Sequence, residues 1–135
     1  MRAVLDPNVV ISAALSPSGS PARVLVAWLE GRFEVIASPK LVGEVERALA
    51  YPKLRKRIPE ADAAGLIRLI ERGSVMREDL ASPPSISKDP GDDYLIALAA
   101  GSEAVLVTGD RDLLALAPEF PVFDAKRFLA WLDGP

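Results

Sequence analysis

The sequence predicts an α/β protein: three layers, α/β/α, around a central and mainly parallel sheet. Three observations carry this. Short apolar runs at 3–5, 33–37 and 104–107 alternate with segments whose apolar residues recur at helical spacing. Such alternation favours parallel strands covered by helices on both faces, and strands buried that way read as unbroken apolar runs. A Ser-Pro dipeptide, at 20–21 and again at 38–39, marks where two of the helices begin, because a capping hydroxyl followed by proline suits the first turn of a helix.

The first strand is expected at 3–5, and the apolar stretch 9–15 opens a helix or turn. Residues 16–19 (Ser-Pro-Ser-Gly) form a loop. Ser20 then caps a helix carrying Val24, Leu25, Trp28 and Leu29 on one face, and Gly31 stops it. A second strand follows at 33–37. Ser38 caps the next helix, whose apolar stripe is Leu41, Val45, Ala48 and Leu49; Glu44 lies on that stripe, and Tyr51-Pro52 ends it. A helix is expected at 61–72, with Leu66, Leu69 and Ile70 inward. A short strand follows at 74–76, then a loop at 81–89. Asp92 or Asp93 caps a helix through residue 100, with Leu95, Ile96, Ala99 and Ala100 buried. The strand at 104–107 precedes a short helix at 112–117, a short strand at 122–123 and a terminal helix at 125–132. Trp28 and Trp131 are assigned to core packing in preference to an interface. No repeat or linker divides the chain, so residues 1–135 read as one domain.

Composition narrows the chemistry. The 135 residues contain no histidine and no cysteine. That excludes Ser-His-Asp and Cys-His catalysis, an imidazole base, and the nitrogen–sulfur cage that zinc prefers. Sixteen basic and nineteen acidic residues give a net charge of −3, so nucleic acid binding would need a local basic patch or a bound ion. No apolar run approaches the ~20 residues of a membrane span. Residues 1–15 are apolar with Arg2, but Asp6 and Asn8 interrupt them, which argues against a signal peptide. The expectation is a cytoplasmic protein with no membrane partner.

Four acidic positions stand where regular elements end or turn: Asp6, Glu44, the pair Asp92/Asp93, and Asp110. In parallel α/β sheets, ligands bind beyond the carboxyl ends of strands. Asp6 and Asp110 each follow a strand, Asp92/Asp93 begin a helix at that same edge, and Glu44 faces inward. At ~4 Å and an effective dielectric near 20, each like-charge pair costs about 4 kcal/mol. A divalent cation offsets that repulsion, and an all-oxygen donor set suits Mg²⁺ or Mn²⁺. Each acid also has a plain structural alternative. Asp6 could cap a turn, Glu44 could tilt outward, one of Asp92/Asp93 could be an N-cap, and Asp110 could be a turn residue beside Gly109.

Taken in order, VLDPNVVISAAL (4–15), SPKLVGEVERAL (38–49), DPGDDYLIALAAGSEAVLVTGDRDLL (89–114) and KRFLAWL (126–132) make the chain resemble the PIN-domain family of metal-dependent ribonucleases, in particular its bacterial toxin-like (VapC-like) branch. The resemblance spans almost the whole chain. It implies Mg²⁺- or Mn²⁺-dependent cleavage of single-stranded RNA, with Asp6, Glu44, Asp92 or Asp93, and Asp110 holding the ions. Asp112 matches a further acidic position, and Asn8 and Thr108 match polar positions that orient water or ligand. It also implies the toxin part of a type II toxin–antitoxin pair, a cognate antitoxin partner, and a homo-oligomer, dimeric or higher. Pro7 departs from the family, which usually has Thr or Ser after the first aspartate. It keeps open the alternative of a weak or silent PIN fold acting as an interaction module.

RNA approaching an acidic pocket needs positive charge at the rim. Lys53, Arg55, Lys56 and Arg57 form the densest basic cluster, with Arg47 and Lys40 upstream, and Lys88 adjoins the acidic loop. The alternative for the cluster is a solvated helix face. A receiver-like or phosphatase-like domain is disfavoured, because Asp6-Pro7-Asn8 lacks a second acid beside Asp6.

Overall fold

The computed structural model describes residues 1–134. In chain order the elements are β1 (Arg2–Leu5), α1 (Pro7–Leu15), α2 (Ser20–Leu29), β2 (Glu34–Ala37), α3 (Pro39–Leu49), α4 (Pro52–Arg55), α5 (Glu60–Gly73), β3 (Val75–Met76), a single 3₁₀ turn (Pro90–Asp92), α6 (Asp93–Gly101), β4 (Val105–Val107), α7 (Arg111–Leu114), β5 (Val122–Phe123) and α8 (Ala125–Asp133).

All five strands are parallel and lie in the order β3-β2-β1-β4-β5. Ala3 sits between Val35 and Val105, and Leu5 is level with Val107. The chain moves outward from β1 to β3, then crosses back to lay β4 on the other side of β1. Strand order therefore reverses between β1 and β4. α6 packs across β1, β2 and β4, while α1, α2, α3, α5 and α8 pack among themselves. Right-handed crossovers put these two groups on opposite faces of the sheet, which is the three-layer arrangement expected.

Val4, Ile36, Leu95, Leu106, Leu113 and Phe128 are among the fully enclosed side chains. Phe128 meets Phe33 edge-on at 4.9 Å, and Trp131 stacks on Phe123 at 5.3 Å. Both tryptophans are core side chains, Trp28 fully and Trp131 partly buried. Gly31, with φ of 76°, ends α2 in a left-handed conformation that other residues rarely adopt.

Some details differ from expectation. Gly19, not Ser20, takes the extended conformation before α2, so Ser20 is already helical and its hydroxyl caps nothing. Ser38 does cap α3, accepting the Leu41 N–H at 3.3 Å. Pro52 starts the extra helix α4. Ala100 is exposed, because α6 turns Leu95, Ile96, Leu98 and Ala99 inward. α7 begins at Arg111 and is shorter than the expected helix. No single helix among the described residues is long and apolar enough to cross a membrane.

Candidate active site

In parallel α/β sheets a reversal such as that between β1 and β4 marks a crevice at the carboxyl ends of the strands, and Asp6 lies at that place, directly after β1. Its backbone N–H donates to the Val107 carbonyl at 2.9 Å, which locks it to the end of β4. Its Oδ1 accepts the Asn8 N–H at 2.9 Å, so Asp6 is also the N-cap of α1. Its Oδ2 accepts the Thr108 hydroxyl proton at 2.8 Å, and Thr108 Oγ1 in turn accepts the Asp110 N–H at 3.0 Å. Thr108 is fully buried.

Pro7 is the first residue of α1, where a missing N–H costs no helix bond. Asn8 contributes its backbone N–H, and its side chain is exposed.

Asp110 caps α7, its Oδ1 accepting the Asp112 N–H at 2.8 Å and the Leu113 N–H at 3.3 Å. Glu44 is held from across the crevice: the Tyr94 hydroxyl donates to its Oε2 at 2.7 Å. Lys40 Nζ sits 4.6 Å from the centre of the Tyr94 ring, a cation–π contact.

The structure separates the two adjacent aspartates. Asp93 is turned into the preceding loop, where its Oδ1 accepts the Ile86 N–H at 3.1 Å, the Ser87 N–H at 2.7 Å and the Ser87 hydroxyl at 2.8 Å. These bonds hold its carboxyl below the usual range. Asp93, one of two candidates in the sequence, is therefore a loop anchor. Asp92 makes no capping bond. Burial, then the negative charges of Asp89, Asp6, Asp110 and Glu44, push its carboxyl up to about 6. Asp6 is also raised, chiefly by burial; the bonds from Asn8 and Thr108 oppose this and Asp110 adds to it. The Tyr94 phenol is raised by burial and by its bond to Glu44, so it stays a donor.

Asp6, Glu44, Asp92 and Asp110 thus share one field. They do not form a ready-made cage: among the described residues, no three acids stand close enough to hold an ion as they are. Asp6 and Asp110 have oxygens committed to donors in their own turns. The donor set nonetheless fits a hard cation, since it is all oxygen and its charges are mutually uncompensated.

Of the basic candidates, Lys40 and Lys88 reach this region. Lys88 Nζ lies 3.7 Å from an Asp112 carboxylate oxygen, an exposed pair that occupies Asp112. Lys53, Arg55, Lys56 and Arg57 do not meet the acids. α3 carries the chain about 8 Å along its axis between Glu44 and Leu49 alone, and the cluster lies beyond. There Arg55 pairs with Glu60 at 3.4 Å, and Arg57 borders a hollow with Ala13, Ala14 and Leu25. Sequence reading missed Tyr94 and Asp89. The signal for Tyr94 was one hydroxyl inside an otherwise apolar run.

The family model of the PIN domain matches residues 2–112. The chain belongs to the PIN domain family. PIN domains are generally nucleases, so this is a nuclease fold. An uncharacterized protein of Methanocaldococcus jannaschii, MJ1680, is 29% identical over 122 residues, covering 88% of this chain and 77% of the relative. Among solved structures, PAE2754 from Pyrobaculum aerophilum superposes with a TM-score of 0.67 at 20% identity, covering 98% of this chain and 90% of that one. VapBC2 from Rickettsia felis, bound to a DNA fragment from its promoter, gives a TM-score of 0.62 at 14% identity, covering 90% of this chain and 97% of that one. At such identities these PIN structures share the fold.

Proposed function

We propose that this PIN domain is a divalent-metal-dependent endoribonuclease that hydrolyses phosphodiester bonds of single-stranded RNA. The observation that carries the reading is geometric: Thr108 ties the Asp6 carboxylate to the Asp110 backbone, and Tyr94, one residue past the Asp92/Asp93 pair, holds Glu44. Asp6, Asp92 and Asp110 would hold Mg²⁺ or Mn²⁺, with Glu44 beside them and Asp112 at the rim. Such an ion supplies activation of water and neutralises charge on the phosphate.

The chain's own residues do the positioning. Thr108 fixes the Asp6 carboxylate and the Asp110 backbone together, and Tyr94 fixes Glu44. Lys40 and Lys88 offer positive charge where RNA phosphates approach. Asp93 holds the loop that delivers Asp92.

The biological setting that fits is the toxin of a type II toxin–antitoxin pair in the cytoplasm, with an antitoxin as protein partner and a homo-oligomer as the working form. The similarity to the toxin–antitoxin complex VapBC2 supports that setting. A silent PIN fold serving as an interaction module is the second reading. Pro7 favours it, because the residue after Asp6 offers no hydroxyl or N–H to a ligand.

Manganese titration followed by melting, and cleavage of a mixed-sequence single-stranded RNA by wild type and Asp92→Asn, test the proposal. Stabilisation by the ion, and cleavage that Asp92→Asn abolishes, are the expected results. Wild type that neither gains stability from manganese nor cuts RNA leaves the interaction module as the reading.

A further inference from the structure

The outer face of α2 leaves apolar side chains open to solvent. Val26 is 52% exposed and Leu29 65%. Helical spacing in the sequence assigns Leu29 to the inward stripe, yet α2 buries Val24, Ala27 and Trp28 and leaves Leu29 outside. Beside Val26 runs a shallow groove of about 200 Å³ between α2 and α8, lined by Arg23, Val26, Glu30, Leu129 and Asp133.

Two charges flank this apolar strip. Arg23 and Glu30 are exposed, and among the described residues neither joins an ion pair, whereas Arg32 nearby is taken by Asp133 at 2.7 Å. Arg23 and Glu30 are seven residues apart. That is close to two helical turns, so they lie on one side of α2, about 10 Å apart along its axis. Half-buried Ala22 and exposed Leu29 are also seven apart and lie on the other side. Both pairs are centred on Val26 to within one residue's rise, ~1.5 Å.

We propose that this face is a homodimer interface, in which two copies pack α2 against α2, antiparallel, about a two-fold axis at Val26. The axis reverses the helix and keeps its sides. Arg23 then stands against the partner's Glu30 and Glu30 against the partner's Arg23. On the other side Leu29 covers the small side chain of the partner's Ala22, and the two Val26 side chains meet at the centre. A closed two-fold contact requires a patch that matches itself reversed, residue i on j and j on i, and the α2 face has that property in charge and in size. A protein of unrelated sequence has no reason to call for it. A helix of ten residues, ~15 Å long, is a small contact, so the dimer belongs to the weak and transient class. This face closes the homo-oligomer named above, and it does not depend on whether the chain cuts RNA.

Sedimentation equilibrium between about 10 μM and 1 mM, a range that brackets weak association, reads the dimer with neither RNA nor metal present. Wild type should pass from monomer to dimer as concentration rises. Val26→Glu sets two carboxylates together at the axis and should weaken the dimer by at least about 10-fold. Arg23→Glu and Glu30→Arg, made singly, each put like charges opposite one another at two symmetric places and should weaken it by roughly 10-fold. Both reversals in one chain restore opposite charges across the axis and should recover wild-type association. All three positions are exposed, so melting of dilute protein should be the same for every variant. Wild type that stays monomeric throughout the range, a dimer that tolerates Val26→Glu, or charge reversals that fail to rescue one another would each overturn the interface, with the hydrolytic reading untouched.

Discussion

Thr108 and Asp6, 102 positions apart in the sequence, are joined by a 2.8 Å hydrogen bond from hydroxyl to carboxylate. The same hydroxyl oxygen accepts the Asp110 N–H at 3.0 Å. One enclosed side chain thereby ties the acid at the end of β1 to the acid after β4.

Thr108→Val keeps the shape and removes both bonds. It strands the Asp110 N–H and strips the Asp6 carboxylate of a donor. A loss of about 1–3 kcal/mol in chemical denaturation is expected, together with weaker manganese binding. Thr108→Ser should recover most of both.

Tyr94→Phe leaves the ring and its contact with Lys40, and removes the donor to Glu44. Partners that orient ligands of a metal centre typically matter by about 10- to 100-fold in affinity or activity. A fall of that size in RNA cleavage, with little change in melting temperature, is the expected outcome. Equal cleavage by the variant would remove Tyr94 from the positioning role.

Asp92 sets a pH dependence in the metal-free protein. Its carboxyl is raised from 3.8 to about 6 in the folded chain, so the folded state holds the proton more tightly than the unfolded state. Below the unfolded value both states are protonated and nothing is lost. Between the two values the unfolded chain has lost the proton and the folded chain still holds it, so stability falls as pH rises. Melting temperature should therefore fall between about pH 4 and pH 6 and level off above, and Asp6, raised in the same direction, adds to the fall. Manganese or Asp92→Asn should flatten the profile. Asp93, lowered by its loop bonds, acts only below that window.

Asp93→Ala unhooks Ile86 and Ser87 from the start of α6. Limited proteolysis should then cut within residues 81–88, which wild type resists. Asp92→Asn should leave the loop protected while abolishing cleavage of RNA. The opposite pattern would exchange the roles assigned to the two aspartates.

Lys40→Ala removes a cation that touches the ring bonded to Glu44, whereas replacing Lys53, Arg55 and Lys56 together alters a surface beyond the end of α3. RNA cleavage should slow in the single variant and hold steady in the triple one. Slower cleavage in the triple variant alone would assign the RNA contact to that cluster.

Much of this architecture was visible in the letters. The run Val105–Val107, bounded by Gly101 and Gly109, reads as an interior strand, and an acid on an apolar stripe, as at Glu44, points to a site. The less legible parts depended on partners distant in sequence. Neighbouring residues at a helix start point about 100° apart, and which of Asp92 and Asp93 faces the crevice is decided by the backbone of Ile86 and Ser87. The same Ser-Pro dipeptide behaves differently at its two sites because Gly19 takes the extended conformation before one, whereas Ser38 takes it at the other.

The middle strand of the sheet is made first and receives its second neighbour only when Val105–Val107 arrives. A ribosome synthesising this protein holds Asp6 for most of translation before Thr108 and Asp110 exist to meet it. A copy cut short before Asp110 never brings that acid, or Thr108, to the end of β1.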